Sequence, residues 1–362
     1  VLFSLLFLLL VSVLPGIWSS LLFVMTTIGY VGTGFWVYQN YGIALDWSFG
    51  VLFALVSFLT TLAVVLLRTE GERGQIRKAF STYLSPDLVA ELSKNPDKLR
   101  LGGERKTLTV LFADIRGFTA MSERYIDHPE ALTELLNDLL TPLTDQIIDR
   151  QGTIDKYMGD AVMAFWNAPL DVDRPANKAC EAALGMLDAL DALNNELISA
   201  GRIVDPLRIG IGINTGNVTV GNLGSHQRFD YSCLGDPVNL ASRLEGLSKA
   251  YGVPIVMGQA VVKCLEGDIK GGEVVLLDEV KVVGKQIPEK IYGLIPKLDG
   301  TEPAWCSLHK DIIAEIKQHN WVKAKKIMLL LKHQNDYPSQ LYEQLEMRLQ
   351  TRSSVARQMD KK

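Results

Sequence analysis

Two aspartates occupy positions where a folded chain could bring them together. Asp114 ends the apolar, β-branched run TLTVLFADI, and Asp160 closes the turn KYMGD just ahead of the run AVMAFW. Carboxylates at a strand end and in a neighbouring hairpin turn can share one sheet edge and hold metal ions. A pair of divalent ions about 4 Å apart activates an attacking oxygen and neutralises a transferring phosphate. Beyond Asp114, the Gly117 turn and the helix start at Phe118 and Thr119 would aim free backbone N–H groups at phosphate oxygens. An aspartate at a strand end is more often a cap or a turn residue, so neither acid decides the matter alone. Asn239 and Arg243 lie four residues apart in VNLASRLE and so share one helix face. Arg offers a permanently charged planar fork to a phosphate, and Asn fixes geometry without altering charge. The plainer alternative is a surface pair, with Arg243 bridging to Glu245 or Asp236.

The elements that must position these residues follow from periodicity. The run ending at Asp114 reads as a buried strand. Helices are expected over 131–149, 175–200 and 236–251, and a hairpin-like pair over GTIDKYMGDAVMAFWNAP. A strand in LRIGIGINTGNVTVGNLG, interrupted at an NTG turn, precedes the last of these helices. Strands in PIVMG, EVVLLDEVKVV and KIYGLI close the region. Helices mixed with strands of both directions point to an α+β sandwich, one sheet with helices on one face.

FADIRGFT, KYMGDAVMAFW, GIGINTGNV and DYSCLGDPVNLASRLE resemble, in order and spacing, the class III nucleotidyl cyclase domain, over residues 106 to 294. The resemblance implies a ferredoxin-like βαββαβ sheet with added elements, acting as a dimer with active sites at the interface. It implies Asp114 and Asp160 as ligands of two Mg²⁺ or Mn²⁺ per active site, with the Ile115 carbonyl as a further ligand. It implies Asn239 and Arg243 as the residues that orient the ribose and stabilise charge on the α-phosphate while the 3′-oxygen attacks. Lys156 falls where adenylate cyclases of this class use Lys to donate to an adenine ring nitrogen and guanylate cyclases usually place Glu. Ser232 falls at the second base-reading position. A Ser hydroxyl can accept from the adenine amino group, but it can also rotate and donate. Lys156 favours ATP over GTP, because a charged Lys cannot accept a hydrogen bond. Members with a small hydroxyl at the Ser232 position are often bicarbonate-responsive, which extends to this chain as an expectation.

Two positions depart from the family pattern. Where the family often has VKGK, this chain reads Val282-Val283-Gly284-Lys285, leaving Lys281 or Lys285 to reach the triphosphate. An Arg used by some members before the NTG turn falls near Gly210, with Arg208 two residues away.

Charge is distributed unevenly along the 362 residues: Asp46 is the single charged side chain before Arg68, and all 37 Lys and Arg follow. Apolar runs over 1–14, 17–38 and 47–67 suggest about three membrane spans, the first truncated, since about 20 residues cross a bilayer. Arg68, Arg73, Arg77 and Lys78 directly follow the third run, which places the remainder in the cytoplasm by the positive-inside rule. The chain therefore reads as transmembrane helices (1–67), a helical signalling linker (68–103), a catalytic domain (104–296) and a helical tail (297–362). In the linker, Phe80, Leu84, Leu88 and Leu92 recur at spacing four. In the tail, two amphipathic helices are expected over 309–332 and 338–350, as a cap on the domain or as a partner-binding module. The start without Met suggests a piece of a longer protein. The layout resembles bacterial inner-membrane receptor cyclases with an extracytoplasmic CHASE2 sensor, multi-pass and with the catalytic domain inside.

Composition narrows the alternatives. Cys180, Cys233, Cys264 and Cys306 show no CxxC spacing and read as reduced thiols, mostly buried. A net charge of −4 gives no reason to expect nucleic acid. A transporter fails on span count and on the absence of charges within the spans. The reading is a membrane-anchored homodimeric adenylate cyclase; a guanylate or dual-specificity cyclase and a catalytically silent nucleotide-binding receptor are its rivals.

Overall fold

The computed structural model describes residues 16–43, 102–225, 229–280, 288–297, 300–331 and 337–347, with positions 52, 55, 56 and 59. The chain divides into two compact units, Val1–Val89 and Ala90–Lys362. In the first, the run expected over 17–38 forms helix α1 (Gly16–Tyr41). The run at 1–14, most of the run at 47–67 and the linker positions Phe80, Leu84, Leu88 and Leu92 lie outside the described residues. Among the described residues no helix is long and apolar enough to cross a membrane, so the three-span reading rests on the sequence alone.

The second unit is built on one mixed sheet. In chain order it runs β1 (Gly102–Ile115), α2 (Phe118–Glu123), α3 (Pro129–Asp149), β2 (Thr153–Met158), β3 (Ala161–Trp166), α4 (Pro175–Ser199), β4 (Ile209–Gly224) and β5 (Phe229–Leu234). It continues through α5 (Asp236–Tyr251), β6 (Ile255–Gly258), α6 (Gln259–Cys264), β7 (Gly272–Val280) and β8 (Glu289–Pro296). Strand order is β2-β3-β1-β4-β6-β8-β7, with β5 added on β4. The first four strands pair antiparallel in the order 2-3-1-4, the ferredoxin-like βαββαβ arrangement, and β4 pairs β6 in parallel.

Alternation along β1 explains the layering. Leu111, Ala113 and Ile115 join Val162, Ala164 and Trp166 under Leu139, Leu143 and Ile147 of α3 and Ala179, Ala183 and Met186 of α4. Leu108 and Val110 face the other way, with Met163, Phe165, Cys233, Val238 and Ala241. Helices therefore do not keep to one face. α5 covers the opposite side of the sheet, because β4 offers it a row of glycines instead of side chains. A Cβ on Gly212 would stand 2.1 Å from the backbone nitrogen of Glu245, and one on Gly216 2.5 Å from the Pro237 ring. The expected NTG turn is also absent: Asn214, Thr215 and Gly216 continue within β4, paired with Val110, Thr109 and Leu108.

The tail departs from the two expected helices. α7 (Ala304–Lys317) ends where His319 takes a left-handed φ of 59°. The Asn320 N–H reaches back to the Glu315 carbonyl at 2.9 Å, closing the helix, and α8 (Trp321–Leu331) starts afresh. A further helix, α9, covers 339–347. Trp305, Ile312, Met328, Leu341 and Leu345 share one core with Leu244, Val275 and Leu277, so the tail is a cap on the domain. All four cysteines are free, and only Cys264 is exposed.

Candidate active site

Asp114 is the penultimate residue of β1, opposite Gly210 of β4. One of its carboxylate oxygens accepts from the Ile115 N–H at 3.0 Å. Asp160 follows Gly159, whose φ of 69° turns β2 into β3. Antiparallel pairing of β3 with β1 sets that turn beside the end of β1. The two acids meet there. Burial, then the hydrogen bond and negative charge of Asp114, push the Asp160 carboxyl up to about 6, against an opposing hydrogen bond from the Ile115 N–H. Two carboxylates held against each other in this way repel, and the site fits a divalent cation. Among the described residues no group of three or more His, Cys, Asp or Glu side chains could hold a metal. Asp114 and Asp160 are thus the side-chain donors available, with the Ile115 carbonyl beside them.

Gly117, with φ 77°, caps the six-residue α2, so Phe118 and Thr119 open it as expected. Arg116 turns back into the fold, donating from Nη2 to the Val253 carbonyl at 2.8 Å. Glu245 of α5 was read from sequence only as a partner for Arg243. It is instead half-buried near the acidic pair. Burial, then the charges of Asp114 and Asp160, push its carboxyl up to about 7, with Arg116 opposing.

Lys156 and Ser232 come from β2 and β5, which are not neighbours in the sheet. A residue that sequence reasoning missed joins them. Asp155 has a side chain 0% exposed, with Oδ1 3.2 Å from the Lys156 ammonium. Its Oδ2 accepts from the Ser232 hydroxyl at 2.6 Å. The contact to Lys156 is an ion pair rather than an aligned hydrogen bond, since the buried Oδ1 has no hydrogen-bond partner. The signal was an acid adjoining the expected base reader, at a position that strand alternation alone would turn away.

Asn239 and Arg243 sit on α5, whose inward side is Leu240, Ala241, Leu244 and Ser248; Asn239 is exposed. Lys281, Val283 and Lys285 lie outside the described residues. Hollows of about 380 and 230 Å³ lie between β7 and the tail and are lined by none of the candidate site residues.

The arrangement defines a class: a ferredoxin-like α+β domain with an acidic pair at the end of its central strand. More particularly, residues 103–295 match the adenylate and guanylate cyclase catalytic domain, and the chain belongs to that family. It is 34% identical over 229 residues to adenylate cyclase 1 of Rhizobium meliloti, covering 62% of this chain and 33% of that protein. It is 39% identical over 189 residues to an adenylate cyclase of Anabaena cylindrica, covering 52% and 36%. The chain thus spans about a third of the length of these curated relatives. A solved bacterial light-regulated adenylyl cyclase superposes with a TM-score of 0.54 at 23% identity, over 64% of this chain and 63% of that one. That likeness shows the fold alone.

Proposed function

We propose that the chain is an adenylate cyclase, converting ATP to 3′,5′-cyclic AMP and diphosphate. The observation that carries this reading is the apposition of Asp114 and Asp160 at the end of β1 within a cyclase fold. Two Mg²⁺ or Mn²⁺ held by these carboxylates and the Ile115 carbonyl would supply charge neutralisation at the triphosphate and a more acidic 3′-hydroxyl. In this reading the N–H groups at Gly117, Phe118 and Thr119, at the start of α2, bind phosphate oxygens. Arg243 stabilises the negative charge that grows on the α-phosphate, and Asn239 holds the ribose. Lys156 and Ser232 read the base, and the names of the Rhizobium and Anabaena relatives favour adenine.

The active unit in this reading is a homodimer. The inward face of α5 is occupied by its own β4, which leaves Asn239 on the outer side and available to a second copy. The proposal extends to a bacterial inner membrane and an extracytoplasmic sensor of the CHASE2 type, and for the membrane it rests on the three apolar runs of the sequence. α1 has no charged residue over 26 positions and exposes Met25, Ile28 and Phe35. The Thr33 hydroxyl and Asn40 amide bond back to carbonyls of their own helix. Alkaline extraction of membranes tests the anchor; release of the chain into the soluble fraction would refute it. Bicarbonate stimulation belongs to the same proposal and rests on the small hydroxyl of Ser232.

The deciding experiment supplies the full chain with Mn²⁺ and either ATP or GTP, beside an Asp114→Ala control. Cyclic AMP from ATP, lost in the control, is the expected result. Predominant cyclic GMP would make it a guanylate cyclase, and no product from a dimeric preparation would make it a silent nucleotide-binding receptor.

A further inference from the structure

Strand β2 does not pair residue for residue with β3. Ile154 faces Ala164 and Lys156 faces Met163, so Asp155 is the additional residue of a β-bulge. A bulge opposes two residues of one strand to one of its partner and re-aims a side chain out of the usual alternation. The redirected side chain here is that of Asp155, fully enclosed between Lys156 and Ser232. Burial, the largest influence, raises the Asp155 pKa, and the Ser232 hydroxyl, the Lys156 ammonium and the Cys233 backbone N–H oppose it.

A hydroxyl has one proton and two lone pairs, and an ionised carboxylate only accepts. The Ser232 hydroxyl donates its one proton to Asp155 Oδ2, and Ser232 presents only lone pairs elsewhere. Resting on the adenylate cyclase reading above, we propose that Asp155 is a specificity-positioning residue, which fixes Ser232 as an acceptor and Lys156 as a donor toward the nucleotide base. That pair of polarities matches adenine, whose edge offers a ring-nitrogen acceptor at N1 and an amino donor at C6. Guanine reverses both, with an N1–H donor and a carbonyl acceptor at C6. Without the carboxylate, the Ser232 hydroxyl is free to turn and donate to the guanine carbonyl. The side chain that leaves base choice open in the sequence thus acquires a direction from its neighbour in the fold.

The test compares kcat/KM for ATP, GTP and inosine triphosphate, which carries the carbonyl at C6 without the 2-amino group, using the full chain and Mn²⁺. The unmodified protein is expected to favour ATP over inosine triphosphate by about tenfold or more. Asp155→Asn, whose amide can donate to Ser232 and release its proton, is expected to lower the ATP:GTP and ATP:inosine triphosphate ratios by about tenfold. Asp155→Glu is expected to restore part of the preference. A purely structural role would reduce turnover of all three nucleotides together and leave the ratios unmoved, which would overturn the proposal. If the Asn variant does not fold, Asp155→Ala takes its place in the same comparison: a fall in the ATP:inosine triphosphate ratio upholds the proposal, and an unmoved ratio overturns it. Failure of the unmodified protein to make cyclic AMP would instead remove the cyclase reading, and this inference with it.

Discussion

Gly212 lies so close beneath α5 that an added Cβ would stand 2.3 Å from the carbonyl oxygen of Ala241. The same Cβ would stand 2.1 Å from the Glu245 nitrogen, so the obstacle is backbone on both counts and no side chain can swing aside. Gly212→Ala must lift α5 off β4. Overpacking of this kind costs about 1–3 kcal/mol. The helix carries Asn239 and Arg243, and misplacing such groups by about 1 Å can cost about a hundredfold in rate. Urea unfolding and cyclase assays on the variant should show both losses. Gly246, on the same helix with nothing within 4 Å of its Cβ position, is the control. Gly246→Ala should stabilise by about 0.5–1 kcal/mol through helix propensity. Full activity in Gly212→Ala would mean that α5 does not need its present seat.

Mutual repulsion between Asp114 and Asp160 predicts a metal effect that is readable without turnover. Mn²⁺ should stabilise the unliganded protein by up to about 2.7 kcal/mol at a hundred times its dissociation constant, read as a rise in melting temperature. Asp114→Asn should abolish that shift. In metal-free buffer the same variant should be no less stable than the parent, because it removes one of two like charges. A strongly destabilised Asn variant would show that the acids stabilise the fold and are not a vacant charge pair.

Much of this site was legible in the sequence, and the remainder was not, for local reasons. Asp114 and Asp160 could be found because each ends or begins an apolar strand, and strand ends converge when a hairpin pairs with β1. Lys156, Ser232, Asn239 and Arg243 came from motif order. Asp155 escaped because a bulge is an exception to the period-two rule that sequence patterns rely on. Helix coverage of the second sheet face escaped for a related reason. The alternate glycines at 210 and 212 look like weak strand formers until α5 is seen to need the missing side chains. The first of the two expected tail helices, 309–332, is in fact two, a division that escaped because no proline or glycine marks the left-handed break at His319.

If the half-sites belong to different copies, an inactive Asp114→Ala chain and an inactive Arg243→Ala chain should complement. Random pairing at equal concentration makes about half of the dimers mixed, each with one intact site, so about a quarter of parental activity is expected. Cyclic AMP formation by the co-refolded mixture is the measurement. A mixture that pairs, as shown by differential tags, yet stays inactive would place all the catalytic groups in one chain.

His309 ties the tail to the sheet and should give the protein a distinctive pH dependence. Its Nε2 lies 2.8 Å from the Leu276 carbonyl of β7 and its Nδ1 3.1 Å from the Tyr342 hydroxyl of α9. The ring donates to the carbonyl and accepts from the phenol, so it is neutral in the fold. Burial lowers its pKa from 6.5 to about 4, outweighing the bond to Leu276. Between these values the unfolded chain binds a proton that the folded one does not. Stability is therefore highest above 6.5 and falls by about 1.4 kcal/mol per pH unit as pH drops toward 4. Glu245 acts in the opposite sense: its raised carboxyl favours the fold at low pH and loses that contribution as pH rises through about 7. The two effects overlap in any single curve, so the informative quantity is a difference. His309→Gln can keep both hydrogen bonds while removing the titration. Urea unfolding of parent and variant from pH 4 to 7 should give a stability difference that tilts in favour of the variant as pH falls. A difference that stays level across that range would mean that His309 is accessible to protons in the folded state, and that the tail cap opens more readily than its packing implies.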